Sequence, residues 1–305
     1  MKQNFLETMD IINQTLATTS EKYGAIFASK KHNLKETITF TVPIYNALIV
    51  DTSPYIRPLA RIIDEWESYT LLILDSHSAK IIDISIGEVE NTKQLSKDII
   101  NKHKKGGQSQ ARFQRIRQGA IHAFLKEVAE AITKHSDNPI ILAGPGTTKT
   151  QLQEMLPKPI QDKIITVIDI SIDDIQNLIQ QSYEIMAEKE TEKSIATVQK
   201  LQKEILTDGL GVYGLDETLD AAQQGKIDTL IVEKDYKVKG CICEQCQIIR
   251  AGPIKDCPLC GQPTSEADVI EEIIEFAQRT NALIEFTHDP YIVNLGHIGA
   301  LLRYK

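Results

Sequence analysis

Five cysteines, Cys241, Cys243, Cys246, Cys257 and Cys260, fall in one short stretch, and the rest of the chain has none. Cys243-x2-Cys246 and Cys257-x2-Cys260 are two knuckles whose four thiolates can close tetrahedrally around Zn2+. Four sulfurs leave no open coordination position, so such a zinc would be structural rather than catalytic. Gly261 permits the tight turn after the second knuckle. Cys241 is a spare thiol that could substitute for Cys243. A disulfide framework would staple distant segments, and this clustering does not. His288 and His297 read as ordinary polar residues, because the thiolates already suffice.

A second constellation surrounds Gly106, Gly107 and Gln108. Between Ile99 and Leu125 there is no Asp or Glu, while Lys102, Lys104, Lys105, Arg112, Arg115 and Arg117 are all cationic. Unopposed cations beside a glycine pair suit a phosphate backbone: the charges neutralise phosphates, and the glycines let main chain approach closely. Singly, the tripeptide is a loop and the charge run a solvated face. Both bland readings weaken when the tripeptide sits inside the basic run and at the mouth of a long helix.

The 305 residues suit about two domains of ~100–200 residues each. Hydrophobic residues at 42% and charged residues at 25% are globular values, which excludes wholesale disorder. The net charge of -8, from 34 Lys and Arg against 42 Asp and Glu, argues against a general polyanion binder. Any nucleic-acid contact must therefore be local. No apolar run reaches the ~18 residues of a membrane span, and the start MKQNFLETMD carries an acid where a signal peptide is continuously apolar. The expected compartment is the cytoplasm, with no membrane partner.

Hydrophobic periodicity predicts the elements that must position these groups. Phe5, Met9, Ile12 and Leu16 mark a helix over 1–19, followed by strands at 23–29 and 37–42. A strand is expected at 47–50, a helix at 56–67, and a hairpin of strands 70–74 and 80–86 about the turn Asp75-Ser76-His77-Ser78. Phe113, Ile116, Ala120, Phe124, Val128 and Ile132 recur at helical spacing over 111–134. Then come strand 139–143, helix 149–156, strand 164–170, helices 173–188 and 192–206, helix 215–224, strand 227–232, helix 266–280 and strands 283–287 and 298–304. The alternation predicts an α/β fold: two consecutive α/β domains, the second with a zinc-ribbon-like insertion, preceded by a short N-terminal region. Expected boundaries are 1–46, 47–171 and 172–305, with the cysteine module at 237–264.

Three further features have ordinary structural readings. Gly144-Pro145-Gly146-Thr147-Thr148-Lys149-Thr150 is not a P-loop, since Thr148 stands where a glycine must precede the lysine. Asp173-Asp174 and Glu271-Glu272 sit at helix starts and complement the helix dipole. Trp66, among Ile62, Ile63 and Tyr69, reads as packing.

The run KHKKGGQSQARFQRIRQGAIHAFLKEVAEAI closely resembles the middle domain of the eukaryotic and archaeal class I peptide chain release factors, in which a GGQ loop precedes a long helix. Leu142-Ala143-Gly144-Pro145-Gly146-Thr147-Thr148-Lys149, Val167-Ile168-Asp169-Ile170-Ser171 and Gly296-His297-Ile298-Gly299-Ala300-Leu301-Leu302-Arg303-Tyr304 extend the resemblance to about residues 47–305. It implies that the loop enters the ribosomal peptidyl transferase centre and promotes hydrolysis of the peptidyl-tRNA ester. Gly106 and Gly107 would supply a side-chain-free backbone, and Gln108 would position the attacking water, with its main-chain N–H a donor to the developing oxyanion. The basic residues would hold the loop on ribosomal RNA, within an active site that the ribosome supplies. Archaeal members carry a similar cysteine-rich insertion, and the family's C-terminal domain engages a translational GTPase.

Members that read stop codons carry Asn-Ile-Lys-Ser and Tyr-x-Cys-x-x-x-Phe in an N-terminal decoding domain. Neither occurs here, and only residues 1–46 precede the matching region. The expectation is a factor acting in ribosome rescue rather than stop-codon-specific termination. The competing readings are a termination factor that recognises its ribosome by another route, a non-catalytic rescue adaptor comparable to the Pelota family, which lacks GGQ, and a zinc-ribbon interaction module with an incidental basic loop.

Overall fold

The structure is a computed structural model that describes residues 2–20, 22–40, 42–51, 54–99, 108–135, 137–170 and 175–305. The chain divides into two compact units, residues 66–186, and residues 1–65 with 187–305.

The chain opens with α1 (Lys2–Thr18), then β1 (Tyr23–Ser29) and β2 (Leu34–Phe40), which form an antiparallel hairpin, then α2 (Arg57–Glu65). No strand forms at 47–50, where the expected alternation finds no pairing partner and leaves Leu48 and Val50 exposed.

The 66–186 unit is built on β3 (Tyr69–Leu74), β4 (Ser78–Ser85), β5 (Glu88–Ser96), α3 (Gln108–His135), β6 (Ile140–Ala143), α4 (Thr148–Met155), α5 (Lys158–Gln161) and β7 (Ile164–Ile168). Its sheet has the order β5-β4-β3-β6-β7, with β3–β6 and β6–β7 parallel and β3–β4 and β4–β5 antiparallel. β3 is buried along its whole length, as a central strand covered on both faces must be. Alternate residues divide between the two covers. Leu72, Leu74, Ile140 and Leu142 pack with Phe124, Leu125, Val128 and Ile132 of α3 and Leu152 of α4. Tyr69, Leu71, Ile73, Ile141 and Ala143 face the other way, onto Leu178. Full burial of each such aliphatic side chain contributes about 1.5–3 kcal/mol, so this sandwich anchors the C-terminal half of α3 firmly.

Leu178 belongs to α6 (Ile175–Leu206), one unbroken helix where two were expected. Its sequence holds neither Gly nor Pro, and Lys189–Glu192 and Lys193–Glu190 pairs at 2.6 and 3.6 Å cross the expected break. Tyr69 Oη lies 2.6 Å from Ser182 Oγ of this helix.

The rest of the chain forms β8 (Gly211–Tyr213), α7 (Leu215–Gln223), β9 (Ile227–Glu233), β10 (Lys239–Cys243), β11 (Ile248–Ala251), β12 (Ser265–Asp268), α8 (Val269–Arg279), β13 (Leu283–Thr287), α9 (Pro290–Asn294) and β14 (Ile298–Leu302). The main sheet has the order β13-β9-β14-β8, with β13 parallel to β9 and β14 antiparallel to both its neighbours. Leu230, Val232, Phe286 and Ala300 pack under Leu219 of α7 and Ile270, Ile273 and Ile274 of α8. Ile231 and Leu301 face Val198 and Leu201 of α6 and Ile292 of α9. β10 pairs with β11 and β12 in a separate antiparallel sheet. The helix expected from Glu266 begins at Val269, because the Asp268 carboxylate caps it by accepting from Ile270 N at 3.1 Å.

Residues 47–65, expected with the middle domain, group instead with 187–305. α2 explains the difference: Ala60 lies in the α7–α8 core, and the Asp64 carboxylate accepts from Phe286 N at 2.9 Å.

Candidate functional site

Lys102, Lys104, Lys105, Gly106 and Gly107 lie outside the described residues. Gln108 is the first residue of α3, a 28-residue helix with no acid in its first turn. The backbone N–H groups of a helix's first turn have no intrahelical acceptor, and the helix dipole makes that end positive. From Gln110 to Gly119 the side chains are exposed or half-buried, and the first fully buried one is Phe124. About 20 Å of helix, at 1.5 Å per residue, therefore separates Gln108 from Ile121, which packs against the core.

Arg112 and Arg115 are exposed on this projecting section, and Arg115 Nε reaches the Ala111 carbonyl at 3.4 Å. Arg117 is half-buried, with Nε buried and without a hydrogen-bond partner among the described residues. Phe113 and Ile116, placed by their spacing on the apolar face, are 43% and 47% exposed. The periodicity that marked the helix thus continues past the point where a core receives it, leaving a cationic stem with an apolar edge.

The Sγ atoms of Cys243, Cys246, Cys257 and Cys260 all lie within 4.8 Å of one another. Cys243 and Cys260 Sγ are 3.6 Å apart, close to the ~3.8 Å edge of a tetrahedron with 2.3 Å zinc–sulfur bonds and far beyond the ~2.05 Å of a disulfide. Cys246 N donates to Cys243 Sγ at 3.4 Å. The backbone N–H groups of Cys260 and Leu259 aim at the Cys257 sulfur and hold its pKa down to about 7, whereas hydrogen bonding within the thiol group, to Cys260 foremost, pushes Cys246 up to about 12. A dication bound among the four sulfurs would displace those protons and favour the thiolates. Cys241, buried on β10, is not one of the clustered thiols. His297 Nδ1 lies 2.5 Å from Glu233 Oε2 and its ring stacks on Tyr236, so it too is engaged elsewhere.

The turn after β6 is closed to phosphate. Lys149 Nζ donates to Gly146 O at 2.8 Å and pairs with Asp169 at 3.0 Å, so the lysine is consumed within the turn.

One grouping escaped the sequence reading. Asp64, Glu190 and Glu285 bring carboxylate oxygens within 4.8 Å of one another beside a cavity of about 300 Å³ that Lys234, Thr287 and His288 also line. Burial pushes the Asp64 carboxyl up to about 7, with Glu285 and Glu190 adding repulsion. The three residues are far apart in sequence and share no motif, so no local signal marks them.

Residues 68–195 match the family model described as eRF1 domain 2, and residues 191–305 match eRF1 domain 3. A peptide chain release factor subunit 1 of Archaeoglobus fulgidus is 28% identical over 294 residues, covering 87% of this chain and 72% of the relative. One from Methanopyrus kandleri is 31% identical over 224 residues, covering 69% of this chain and 51% of the relative. Among solved structures, Archaeoglobus fulgidus Pelota aligns with 78% of this chain and 65% of its own at 17% identity and a TM-score of 0.38. S. cerevisiae Dom34, a translation termination-like factor involved in RNA quality control pathways and interacting with Hbs1, aligns with 83% of this chain and 69% of its own at 12% identity and a TM-score of 0.48. Among the described residues, no helix is long and apolar enough to cross a membrane.

Proposed function

Because the chain belongs to the eukaryotic and archaeal-type peptide chain release factor family, with residues 68–305 matched by its domain 2 and domain 3 models, we propose that it promotes hydrolysis of the peptidyl-tRNA ester in the ribosomal peptidyl transferase centre. The observation that carries this reading is Gln108 at the tip of a projecting basic helix, directly after Gly106 and Gly107. Water attacks the ester carbonyl, the carbonyl oxygen gains negative charge, and the 3′ oxygen of the tRNA leaves with a proton. The Gln108 main-chain N–H, at a helix end with no intrahelical acceptor, is free to donate to that oxyanion. Its side chain orients the water. The two glycines keep the approach narrow, and the chain supplies position rather than a general base. Lys102, Lys104, Lys105, Arg112, Arg115 and Arg117 hold this end of the helix on ribosomal RNA.

Cys243, Cys246, Cys257 and Cys260 would hold zinc, which when bound cross-links β10 to the 257–260 knuckle and does no chemistry. The role proposed is rescue of stalled ribosomes in the cytoplasm rather than stop-codon-specific termination, with a translational GTPase as delivery partner of the C-terminal domain. The test is peptide release from peptidyl-tRNA on ribosomes with a stop codon, a sense codon or no codon in the A site. Release without a stop codon, lost in Gln108→Ala and Gly107→Ala, is expected. Equal release by wild type and both variants overturns the reading, and strict stop-codon dependence replaces rescue with termination.

A further inference from the structure

The α3 end is not the chain's sole concentration of positive charge. From Tyr23 to Lys35 there is again no Asp or Glu, and the segment carries Lys30, Lys31, His32 and Lys35. These four residues gather at one end of the β1–β2 hairpin. Ser29 pairs with Leu34, so residues 30–33 form the connecting loop, and Lys35 follows one position into β2. Lys30, Lys31, His32, Asn33 and Lys35 are all exposed. Among the described residues, none of the three lysines makes an ion pair.

The tip is built to hold its shape. Asn33 N donates back to Lys30 O at 3.3 Å, and Asn33 takes a positive φ of 51°, a conformation its short polar side chain tolerates. From outside the hairpin, Thr8 Oγ1 of α1 accepts from Lys30 N at 3.0 Å, tying the loop to the helix beside it. The first acid after the loop, Glu36, points to the opposite face of β2 from Lys35.

We propose that this hairpin tip is a second RNA-backbone contact, with Lys30, Lys31 and Lys35 neutralising phosphates and His32 and Asn33 hydrogen-bonding to phosphate or ribose oxygens; that the RNA is ribosomal rests on the function proposed above. The loop residues decide the class of partner. Protein interfaces are depleted of Lys and are built about aromatic or aliphatic anchors, and Lys-Lys-His-Asn offers none. Membrane attachment likewise needs an apolar residue to insert. Backbone recognition of nucleic acid needs cations and polar donors, which is the whole of what the tip presents.

The test compares the full chain with a Lys30→Gln, Lys31→Gln, Lys35→Gln triple variant, binding purified ribosomal subunits across a salt series. Thermal unfolding of both proteins controls for folding. Each phosphate contact removed should lessen the salt slope of log K by about 0.7–0.9, so a drop of about 2 to 3 is expected. A photo-crosslinking residue in place of Lys31 should label RNA. An unchanged slope and affinity overturns the proposal, and so does a crosslink confined to ribosomal protein. Gln108→Ala serves as the separating arm. If the triple variant loses slope while Gln108→Ala keeps it in full, the tip contact stands whether or not the wild type releases peptide. If wild type releases peptide and the triple variant keeps the full slope, the function stands and the tip contact falls.

Discussion

Glu271 accepts the backbone N–H of Arg57 at 3.1 Å through the same carboxylate oxygen that accepts from Ile56 at 2.8 Å. A residue in the first turn of α8 therefore caps the start of α2, while α8 takes its own cap from Asp268. Arg57 completes the joint by donating to the Lys234 carbonyl at 2.9 Å and pairing with Asp268 at 3.8 Å. Long-range capping of this kind satisfies orphan helix donors with a group that must itself be buried. The other Glu271 oxygen, Oε2, is buried with no hydrogen-bond partner among the described residues, as suits a protonated carboxyl.

That burial makes stability depend on pH. Burial above all pushes Asp64, Glu271 and Glu272 up to about 7, despite the amide hydrogen bonds that pull the first two down. A carboxyl whose folded pKa exceeds its ordinary value binds its proton more tightly when folded. Its stabilising contribution is full below about pH 4 and is lost as pH rises through 7. The 1–65/187–305 unit should therefore melt at a lower temperature at pH 8 than at pH 5.5. Glu271→Gln and Asp64→Asn keep the accepting oxygens and should flatten that dependence, measured by thermal unfolding across the range. A profile equally steep in both variants would falsify the assignment.

Two glycines should respond to alanine in opposite directions. At Gly144, where φ is 148°, a Cβ would stand 1.9 Å from the Leu74 carbonyl oxygen, and backbone cannot step aside cheaply. Gly144→Ala should cost about 2–4 kcal/mol. Gly119 lies within α3 with nothing inside 4 Å of where its Cβ would be. Gly119→Ala should stabilise by about 0.5–1 kcal/mol through helix propensity alone. Denaturant unfolding of the two variants beside wild type decides both signs.

The sequence was legible wherever burial imposed a period. The 3.6-residue spacing of Phe124, Val128 and Ile132 and the apolar runs of β3, β6 and β9 follow from cores on one or both sides. The edge strand β5 was not legible, because Glu88–Ser96 is mostly exposed and its turn, Ile86-Gly87, places a β-branched residue at a φ of 46°, against turn preferences. Short β8 and α9 are likewise defined by their neighbours rather than by their own composition. The cysteine cluster was readable because ligand spacing is local. Asp64, Glu190 and Glu285 were not, because only the packing of α2 and α6 on β13 brings them together.

The metal assignment separates the five cysteines. Cys257→Ser and Cys260→Ser should lose one bound zinc per chain by elemental analysis, while Cys241→Ser should retain it, since Cys241 stands outside the cluster. Chelation should raise hydrogen exchange in β10 and β11 first, because a structural zinc contributes folding energy locally. Retention of full zinc by Cys257→Ser, with loss in Cys241→Ser, would reverse the assignment.

The projecting half of α3 should be dispensable for folding and necessary for ribosome contact. Arg112 and Arg115 are exposed, and surface substitutions of that kind alter stability by about 0.5 kcal/mol or less. Arg112→Ala with Arg115→Ala should therefore leave the thermal midpoint nearly unchanged. Ribosome binding should weaken, and the salt slope of log K should fall by about 0.7–0.9 for each arginine. Release at saturating protein should fall less than release at limiting protein, since the arginines hold the helix in place and do not touch the ester. An equal loss at both concentrations would instead make these side chains part of the reacting geometry, while no loss at either would move the RNA contact to the lysines before Gly106.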